Sequence, residues 1–403
     1  QQGVAIGIFV KEPGKDGLAR VFHSELWGIR KSKDGRSGKY PYLSSNDVYK
    51  TAWTEIFPEK PMYLFKPEEK KLRLEYYSSW LITDIMPLNS VGIVTARDKL
   101  TIHLSKRELI KTIKDFSSIP DETAREKFGL GKDSKDWKIS LAKADLKKDK
   151  LCGKNISELL YRPFDLRYTY YTGNSSGFHC RPRPEVMRHM LAGDNLGICT
   201  VRNKEISGHF EHVFCTKNLI QHHTVSLKEV NYLFPLYIYK EPKNEINGQN
   251  NLELKYDELK NRYPNLNPDF LKEIEQKLKI SFIQYGNGDL KQTLGPEDIF
   301  NFIYAVFHSA TYRKRYAEFL KIDFPRVPVT SNMKLFRELA SKGDQLVKLH
   351  LLESTLLKNT AVAYPVRRKE EEDIVEKGYP KFLAPGEPEP GTGKPVTKGR
   401  VYI

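Results

Sequence analysis

The chain has 403 residues, of which 39% are hydrophobic and 29% charged, and 66 Lys and Arg residues against 51 Asp and Glu residues give a formal net charge of +15. This composition is that of a globular protein and excludes a disordered or fibrous chain, and the length is enough for two or three domains. The longest apolar runs fall far short of the ~20 residues that a membrane-spanning helix needs.

The first predicted element is a strand over residues 4–10, Val-Ala-Ile-Gly-Ile-Phe-Val. Because the run is apolar on both of its alternating faces, it is typical of a strand buried on both sides within an α/β sheet. No earlier segment is present for this strand to pair with, so we expect the chain to be a piece of a longer polypeptide. A natural N-terminal strand with a processed end is the alternative.

Residues 19–77 predict irregular, strand-rich structure. A short strand is expected at residues 19–23, and the Gly- and Lys-rich residues 31–39 predict an exposed, mobile loop. From residue 46 to residue 77 aromatic residues and prolines alternate with charges, and the prolines between Pro58 and Pro67 rule out a continuous helix.

Residues 90–150 contain both apolar periodicity and a dense charge run. Residues 90–98 predict a buried strand that ends in a polar turn, and residues 106–116 have helical spacing. Residues 132–150 hold seven lysines and four aspartates. Such a run is more typical of a solvated face than of a binding site.

The middle of the chain, residues 155–240, alternates apolar strands with polar turns and predicts a β-rich module. The polar residues 241–251 follow it and predict a linker or an exposed excursion.

The last third of the sequence predicts helices. Asn267-Pro268-Asp269 supplies an N-cap, a proline at the first helical position and an early acid, and Gly295-Pro296 begins a second helix that we expect to run to Leu320. A third helix is expected over residues 333–357. Residues 385–399, rich in Pro, Gly and Lys, predict a flexible tail.

The net charge favours a polyanionic partner, because a basic surface gains free energy when counterions leave a phosphate backbone. Residues 161–188 contain five arginines interleaved with tyrosines and phenylalanines. Arginine can place two hydrogen bonds on guanine or on a phosphate, and aromatic rings can stack on bases. In the alternative interpretation Arg162 pairs with Asp165 for structural reasons and the tyrosines pack in the core.

A second polar set, Arg202-Asn203-Lys204 and residues 221–224, lies where predicted strands meet turns. Asn and Gln can bind adenine through two hydrogen bonds, and His can donate to a phosphate. Ordinary loop positions are the alternative for each of them. A DNA-binding interpretation requires Arg181, Arg183, Arg202 and Lys204 to be exposed on one concave face.

Catalytic and metal-binding interpretations find little support. Asp269 and Glu275 imitate a nuclease motif, but they fall on a predicted helix, whereas nuclease carboxylates lie on adjacent strands around a metal. The sequence has no GxSxG, Walker A, GxGxxG or HExxH motif. The four cysteines form no CxxC pair, which favours a reducing, cytoplasmic setting. Zinc-ligand spacing is also absent among the potential ligands Cys180, Cys199, Cys215, His179 and His222.

Five short segments in a fixed order carry a family resemblance. They are residues 1–10, 26–30, 95–98, 161–167 and 296–324. Together they resemble the C-terminal part of the single-polypeptide Type ISP restriction-modification enzymes. In that family a nuclease, a helicase-like ATPase, an N6-adenine methyltransferase and a target-recognition domain follow one another on one chain.

The resemblance implies an α+β fold with three parts. Residues 1–30 would be the last strands of a methyltransferase sheet, residues 31–240 a mixed α/β target-recognition region, and residues 241–403 a mainly helical unit with a flexible tail. S-adenosylmethionine is implied as the cofactor of the parent enzyme. The Asn-Pro-Pro-Tyr/Phe catalytic loop and the cofactor-binding loop are absent from the sequence, so we expect this chain alone neither to methylate nor to cut DNA.

The function that follows from the resemblance is sequence-specific recognition of double-stranded DNA, with the upstream methyltransferase and possibly ATPase and nuclease domains as partners on the same polypeptide. The upstream chemistry would act on an adenine flipped out of the duplex. The alternative is a regulatory module that binds protein or RNA, and an independent metal-dependent nuclease is a third interpretation. The candidate DNA-binding residues are Arg162, Arg167, Tyr170, Arg181, Arg183, Arg188, Arg202, Asn203, Lys204, Gln221, His222 and His223.

Overall fold

The structure, a computed structural model, describes residues 5–60, 63–67, 69–150, 153–203, 210–240, 261–359, 381–389, 392–397 and 399–402. These residues form a mixed α+β fold with several small sheets, which confirms the predicted fold class at this level. The predicted linker at residues 241–251, and Lys204, lie outside the described residues.

The α-helices of the described residues are α1 (Lys39–Ser45), α2 (Lys70–Tyr77), α3 (Ile82–Ile85), α4 (Asp98–Thr101), α5 (Lys106–Ser118), α6 (Asp121–Lys127), α7 (Ile139–Lys148), α8 (Pro184–Leu191), α9 (Pro268–Leu278), α10 (Pro296–His308), α11 (Ala310–Arg315) and α12 (Met333–His350). Short 3₁₀ turns cover Gly153–Asn155, Phe319–Lys321 and Thr355–Asn359.

The strands are β1 (Val21–His23), β2 (Thr54–Ile56), β3 (Trp80–Leu81), β4 (Ser90–Val91), β5 (Ile102–His103), β6 (Ile156–Arg162), β7 (Asp165–Tyr170), β8 (Gly197–Val201), β9 (Val213–Thr216), β10 (Leu219–Ile220), β11 (Asn231–Pro235), β12 (Tyr237–Tyr239), β13 (Arg262–Pro264), β14 (Ser281–Phe282), β15 (Thr293–Leu294), β16 (Arg326–Val327), β17 (Lys381–Leu383) and β18 (Arg400–Tyr402).

Two four-stranded sheets form the β-rich middle of the molecule. One has the strand order β10-β6-β7-β5 and the other β4-β11-β8-β9. The two sheets meet where Ile93, just after β4, forms a parallel bridge with Gln221, just after β10. Strand β8 is buried at every position, as expected of a strand whose residues are apolar on both faces. The junction at Gln221 brings polar residues from both sheets to one place.

Local capping signals place the helix starts. The Asn267 side chain accepts a hydrogen bond from the Asp269 backbone N–H at 2.8 Å at the start of α9, and Pro296 is the first residue of α10. The helix expected to run to Leu320 ends instead at His308, because Ser309 is extended and caps α11. The third predicted helix is confirmed as α12, which ends at His350.

The helices of the C-terminal part pack directly on the second sheet. A single hydrophobic cluster contains Ile198 of β8 and Phe234 of β11 together with Phe302 of α10 and Phe336 of α12. The cluster therefore joins residues on both sides of residue 240. The three predicted domains stay predictions.

Three further expectations differ from the structure. Residues 5–10 form no strand and expose Phe9 at 83%, because no described segment pairs with them. Residues 70–77 form helix α2 within the segment expected to be irregular, since the helix-breaking prolines end at Pro67. Asp145, in the charge run expected to be solvated, is only 7% exposed. Among the described residues, no helix is long and apolar enough to cross a membrane.

Candidate nucleic-acid interface

The hairpin of β6 and β7 stacks two arginines on one tyrosine. The guanidinium groups of Arg162 and Arg167 lie 4.0 Å and 4.1 Å from the centre of the Tyr161 ring. The Tyr161 hydroxyl donates to Asp98 at 3.0 Å, and Arg167 forms an ion pair with Asp165 at 2.7 Å. The predicted structural pairing of Asp165 therefore involves Arg167 rather than Arg162. The stack holds both arginines in fixed orientations.

Gln221 connects this hairpin to the turn that follows β10. Its Oε1 accepts a hydrogen bond from the His223 backbone N–H at 2.6 Å and a longer one from Arg162 Nη1 at 3.4 Å. Both donors lack any acceptor function, so the orientation of the amide is determined. The side chain is 6% exposed and its oxygen is occupied. Binding of adenine through two hydrogen bonds from Gln221 does not fit this arrangement.

The two histidines after Gln221 lie against each other. Their ring centres are 4.5 Å apart at 88°, and His222 Nδ1 is 3.1 Å from His223 Nε2. Burial lowers the pKa of His222 to about 4, and the neighbouring groups His223, Arg183 and Arg181 add to this effect. His222 is thus neutral at pH 7. The same electrostatic coupling places the predicted residues Arg181 and Arg183 near this turn.

Arg181 and Arg183 line a cleft of about 320 Å³ at the start of α8. Arg181 is half exposed and pairs with Asp136 at 2.8 Å. The residues that line the cleft are Asp136, Ser175, Ser176, Cys180, Arg181, Arg183, Pro184 and Glu185. Both signs of charge and two serine hydroxyls therefore face one cavity.

Arg183 has unusual backbone and side-chain states. It precedes Pro184 at the N-cap of α8 with φ of 58°, a left-handed conformation that is unfavourable for a non-glycine residue. Its Nε is buried and has no hydrogen-bond partner within the described part of the chain. Backbone strain and an unsatisfied buried donor on one residue are typical of a functional site.

The loop that forms one wall of the cleft is anchored on α7. Asp145 accepts hydrogen bonds from Thr172 Oγ1 at 2.7 Å, Asn174 Nδ2 at 2.7 Å and the Phe178 backbone N–H at 2.8 Å. A Cβ on Gly177 would lie 2.2 Å from an Asp145 oxygen, so only glycine fits there. The anchor fixes the backbone that carries Cys180 and leads to Arg181.

Arg202 and Asn203 lie at the end of β8, away from the lining of the cleft. Both are exposed, and Arg202 pairs with Asp323 at 3.0 Å. A chain of backbone pairings links them to the histidine turn, since Val201 pairs with Asn231, whose N–H donates to the His222 carbonyl at 3.1 Å. The structure thus brings Arg181 and Arg183 together in one cleft and places Arg202 at a neighbouring edge.

Two further predicted residues lie in different environments. Arg188 is exposed on α8. Tyr170 is 2% exposed, its hydroxyl donates to Asp149, and its ring contacts Phe178 edge-on. Base stacking by Tyr170 does not fit this burial, and the core-packing alternative describes it.

No group of three or more potential ligands that could hold a metal ion is present among the described residues. Asp269 and Glu275 are six positions apart on α9, which rotates their side chains by ~240° about the helix axis. Asp269 pairs with Lys272, and Glu275 accepts from the Phe282 backbone N–H at 2.6 Å. This arrangement does not support a nuclease site.

Sequence reasoning missed the carboxylates that hold this surface in place. Asp98 binds Tyr161, Asp136 binds Arg181 and Asp145 binds residues 172–178, over separations of 27 to 63 residues. No spacing rule connects such positions. The one local signal was the Thr95–Asp98 turn, where Ala96 has φ of 61° and the Thr95 hydroxyl donates to Asp98.

The chain belongs to a known family. The model of the Type ISP C-terminal specificity domain matches residues 84–393, which is more than half of the chain. This match confirms the predicted family resemblance and, with it, the predicted role as a specificity domain. Three of the five segments, residues 95–98, 161–167 and 296–324, lie within the matched residues, whereas residues 1–10 and 26–30 lie outside them.

Solved structures give a more distant likeness. A cryo-EM structure of a DrdV–DNA complex is 22% identical over 77% of this chain and 29% of that chain, with a TM-score of 0.49. A nuclease-deletion mutant of the Type ISP enzyme LlaGI with a DNA substrate mimic is 20% identical over 75% and 21%, with a TM-score of 0.47. DNA-bound LlaBIII, an ATP-dependent Type ISP enzyme, is 16% identical over 77% and 18%, with a TM-score of 0.49. The chain spans less than a third of each of these proteins, and no curated protein matches it.

Proposed function

We propose that this chain binds double-stranded DNA and recognises its sequence through the cleft beside α8, the turn at residues 221–223 and the edge at Arg202 and Asn203. The observation that carries the proposal is Arg183, a strained residue with an unsatisfied guanidinium N–H at a cleft that Arg181 shares. The terminal N–H groups of an arginine at such a cleft can donate to a phosphate or to a guanine edge. The family of the chain supports the same function.

The ion pairs of this surface are compatible with exchange for DNA. The pairs of Arg181 with Asp136 and of Arg202 with Asp323 are largely exposed, and exposed pairs are worth only ~0–1 kcal/mol. A DNA phosphate can therefore replace either carboxylate at little cost. In this proposal Arg188 and Lys204 add phosphate contacts, and Arg162 and Arg167 support the surface from the hairpin.

We further propose that the parent polypeptide supplies an adenine methyltransferase upstream of this module, with residues 1–30 completing its sheet. The exposed apolar side chains of Ile6, Phe9 and Trp27 are suited to such a contact. S-adenosylmethionine would bind to that upstream part, since the sequence here contains no loop for it. A cytoplasmic location is consistent with a DNA target and with the free thiols of the described cysteines.

The experiment that tests this function is a salt titration of binding to a pool of random-sequence duplexes, with sequencing of the bound fraction. We expect binding that weakens steeply with salt, as counterion release requires, and one enriched motif. Steep salt dependence without an enriched motif would show that the chain binds only phosphates. That result would contradict sequence recognition by this chain. Absence of duplex binding at low salt, with binding to RNA or protein instead, would replace the proposal with the interaction-module alternative.

A further inference from the structure

The histidine turn contains a hydrogen-bond relay with a defined direction. His223 Nδ1 lies 3.3 Å from the backbone carbonyl oxygen of Glu229, and His223 Nε2 lies 3.1 Å from His222 Nδ1. A carbonyl oxygen can only accept, so His223 Nδ1 carries the hydrogen. In a neutral ring the other nitrogen, His223 Nε2, is then an acceptor, and the relay continues to His222.

The relay fixes the tautomer of His222. When His223 is neutral its Nε2 accepts, so His222 Nδ1 donates to it and His222 Nε2 is left as a hydrogen-bond acceptor. Within the part of the chain that the structure describes, Nε2 of His222 has no hydrogen-bond partner among the side-chain and backbone groups. Its side chain is partly exposed. His222 thus has an oriented acceptor on a partly exposed side chain.

Burial, more than the neighbouring groups, keeps His222 neutral. The titratable and charged groups that face it are His223, Arg183 and Arg181, and burial with these neighbours lowers the pKa of His222 to about 4. A neutral imidazole whose free nitrogen is an acceptor repels a phosphate oxygen and the acceptors of guanine and thymine. It is complementary to an amino group.

We propose that His222 Nε2 accepts a hydrogen bond from the exocyclic amino group of a DNA base, N6 of adenine or N4 of cytosine, in the major groove. This assignment rests on the proposed DNA-binding function and makes His222 a specificity residue rather than a phosphate contact. His223 is a positioning residue, because it acts on the base only through the tautomer of His222.

The test begins with the motif selected from random duplexes and deletes one amino group at a time. Adenine is replaced by purine deoxyriboside and cytosine by 2-pyrimidinone deoxyriboside, each of which lacks only the exocyclic amine. For the unmodified protein we expect one position at which deletion weakens binding by about 3- to 10-fold, the value of one hydrogen bond. In His222→Ala the same deletion should change binding by less than about 2-fold.

A second variant separates the tautomer from the ring itself. His223→Phe retains an aromatic ring beside His222 but removes the relay, so the amine dependence should fall while binding to unrelated duplexes stays the same. Thermal unfolding of both variants checks that the fold is intact. Loss of the amine dependence in His222→Ala alone, with full dependence in His223→Phe, would overturn the positioning role of His223.

Phosphate contact is the competing role of His222 and has its own readout. Methylphosphonate substitution neutralises single phosphates. If one methylphosphonate weakens binding of the unmodified protein but not of His222→Ala, and no amine deletion behaves in this way, the proposal is overturned. If His222→Ala keeps every amine dependence, the inference fails while the DNA-binding function stands. If the unmodified protein selects no motif, the proposed function itself fails.

Discussion

The crossing of α10 and α12 and the cleft beside α8 are held by different interactions. At the crossing Phe302 and Phe336 stack at 4.7 Å, and both are almost fully buried. In the cleft Arg183 is strained and has an unsatisfied N–H, and Asp145 gathers three donors to hold one wall. The crossing stabilises the fold. The strained backbone and the unpaired donor of the cleft lower the stability of the fold, but they leave polar groups available to a ligand.

The largest effect that this contrast predicts is at the crossing. Gly343 of α12 lies against α10, and a Cβ there would come 1.8 Å from the Asn301 carbonyl oxygen. We expect Gly343→Ala to force the helices apart and to lower the free energy of unfolding by about 3 kcal/mol or more. Urea unfolding measures it. Gly153→Ala is the matched control, since a Cβ there meets nothing within 4 Å, and an equal loss in both variants would contradict the tight crossing.

The anchor of the cleft should give the next largest effect. Asp145→Ala leaves the Phe178 N–H, Thr172 and Asn174 without their acceptor, so we expect the free energy of unfolding to fall by about 2 kcal/mol. We also expect the variant to lose a larger fraction of its duplex affinity than the control variant Asp115→Ala. Asp115 forms an exposed pair with Lys127 and is the control. Normal duplex affinity in folded Asp145→Ala would show that the wall of the cleft is not required for binding.

Acidification should destabilise the region around the cleft. His179 is fully buried, its Nε2 lies 2.8 Å from the Thr169 hydroxyl, and burial lowers its pKa to about 4 from about 6.5. Between these pH values the unfolded chain binds a proton that the folded chain does not, so stability is present above pH 6.5 and falls towards pH 4. For His179 alone we expect a loss of about 2 kcal/mol between pH 7 and pH 5. Urea unfolding at pH 7, 6 and 5 checks it, and a flat profile would contradict a neutral buried ring.

The smallest expected effect is on binding. Arg183→Gln removes one cation from the cleft, and we expect about 10-fold weaker duplex binding, or ~1.4 kcal/mol. Stability should stay the same or improve slightly, because the buried Nε–H without a partner is gone while the backbone conformation is kept. Arg337→Gln removes the same charge from an exposed position on α12 and should leave affinity nearly unchanged. If both variants bind equally weakly, net charge rather than the cleft determines affinity.

Sequence patterns predicted the parts of the fold that depend on near neighbours. The caps at Asn267 and Pro296 marked helix starts because the capping groups lie within the first turn. The break at Ser309 was missed, since the apolar pattern continues across it. The apolar composition of residues 4–10 predicted burial. Composition shows that a segment favours burial, but it does not show whether another segment covers it.

The candidate site was predicted only in outline. The arginine-rich segment and residues 221–223 were singled out by residue type, but the sequence could not show that Gln221 contacts Arg162 across 59 positions. Nor could it show that Asp165 pairs with Arg167 or that Tyr170 is buried. The contact of Gln221 depends on how the two sheets meet, and the other two outcomes depend on side-chain orientation and packing, which residue type and spacing do not specify.

The occupied oxygen of Gln221 has a consequence for changing the target of this protein. Gln221 has a structural role, because its side chain accepts a hydrogen bond from the His223 backbone N–H and so fixes the backbone of the next two residues. The side chain of His222 can be replaced without breaking that hydrogen bond. A directed-evolution library that randomises position 222 and keeps 221 intact should yield folded proteins with altered base preference. A library that randomises 221 should mainly yield proteins whose turn is no longer defined.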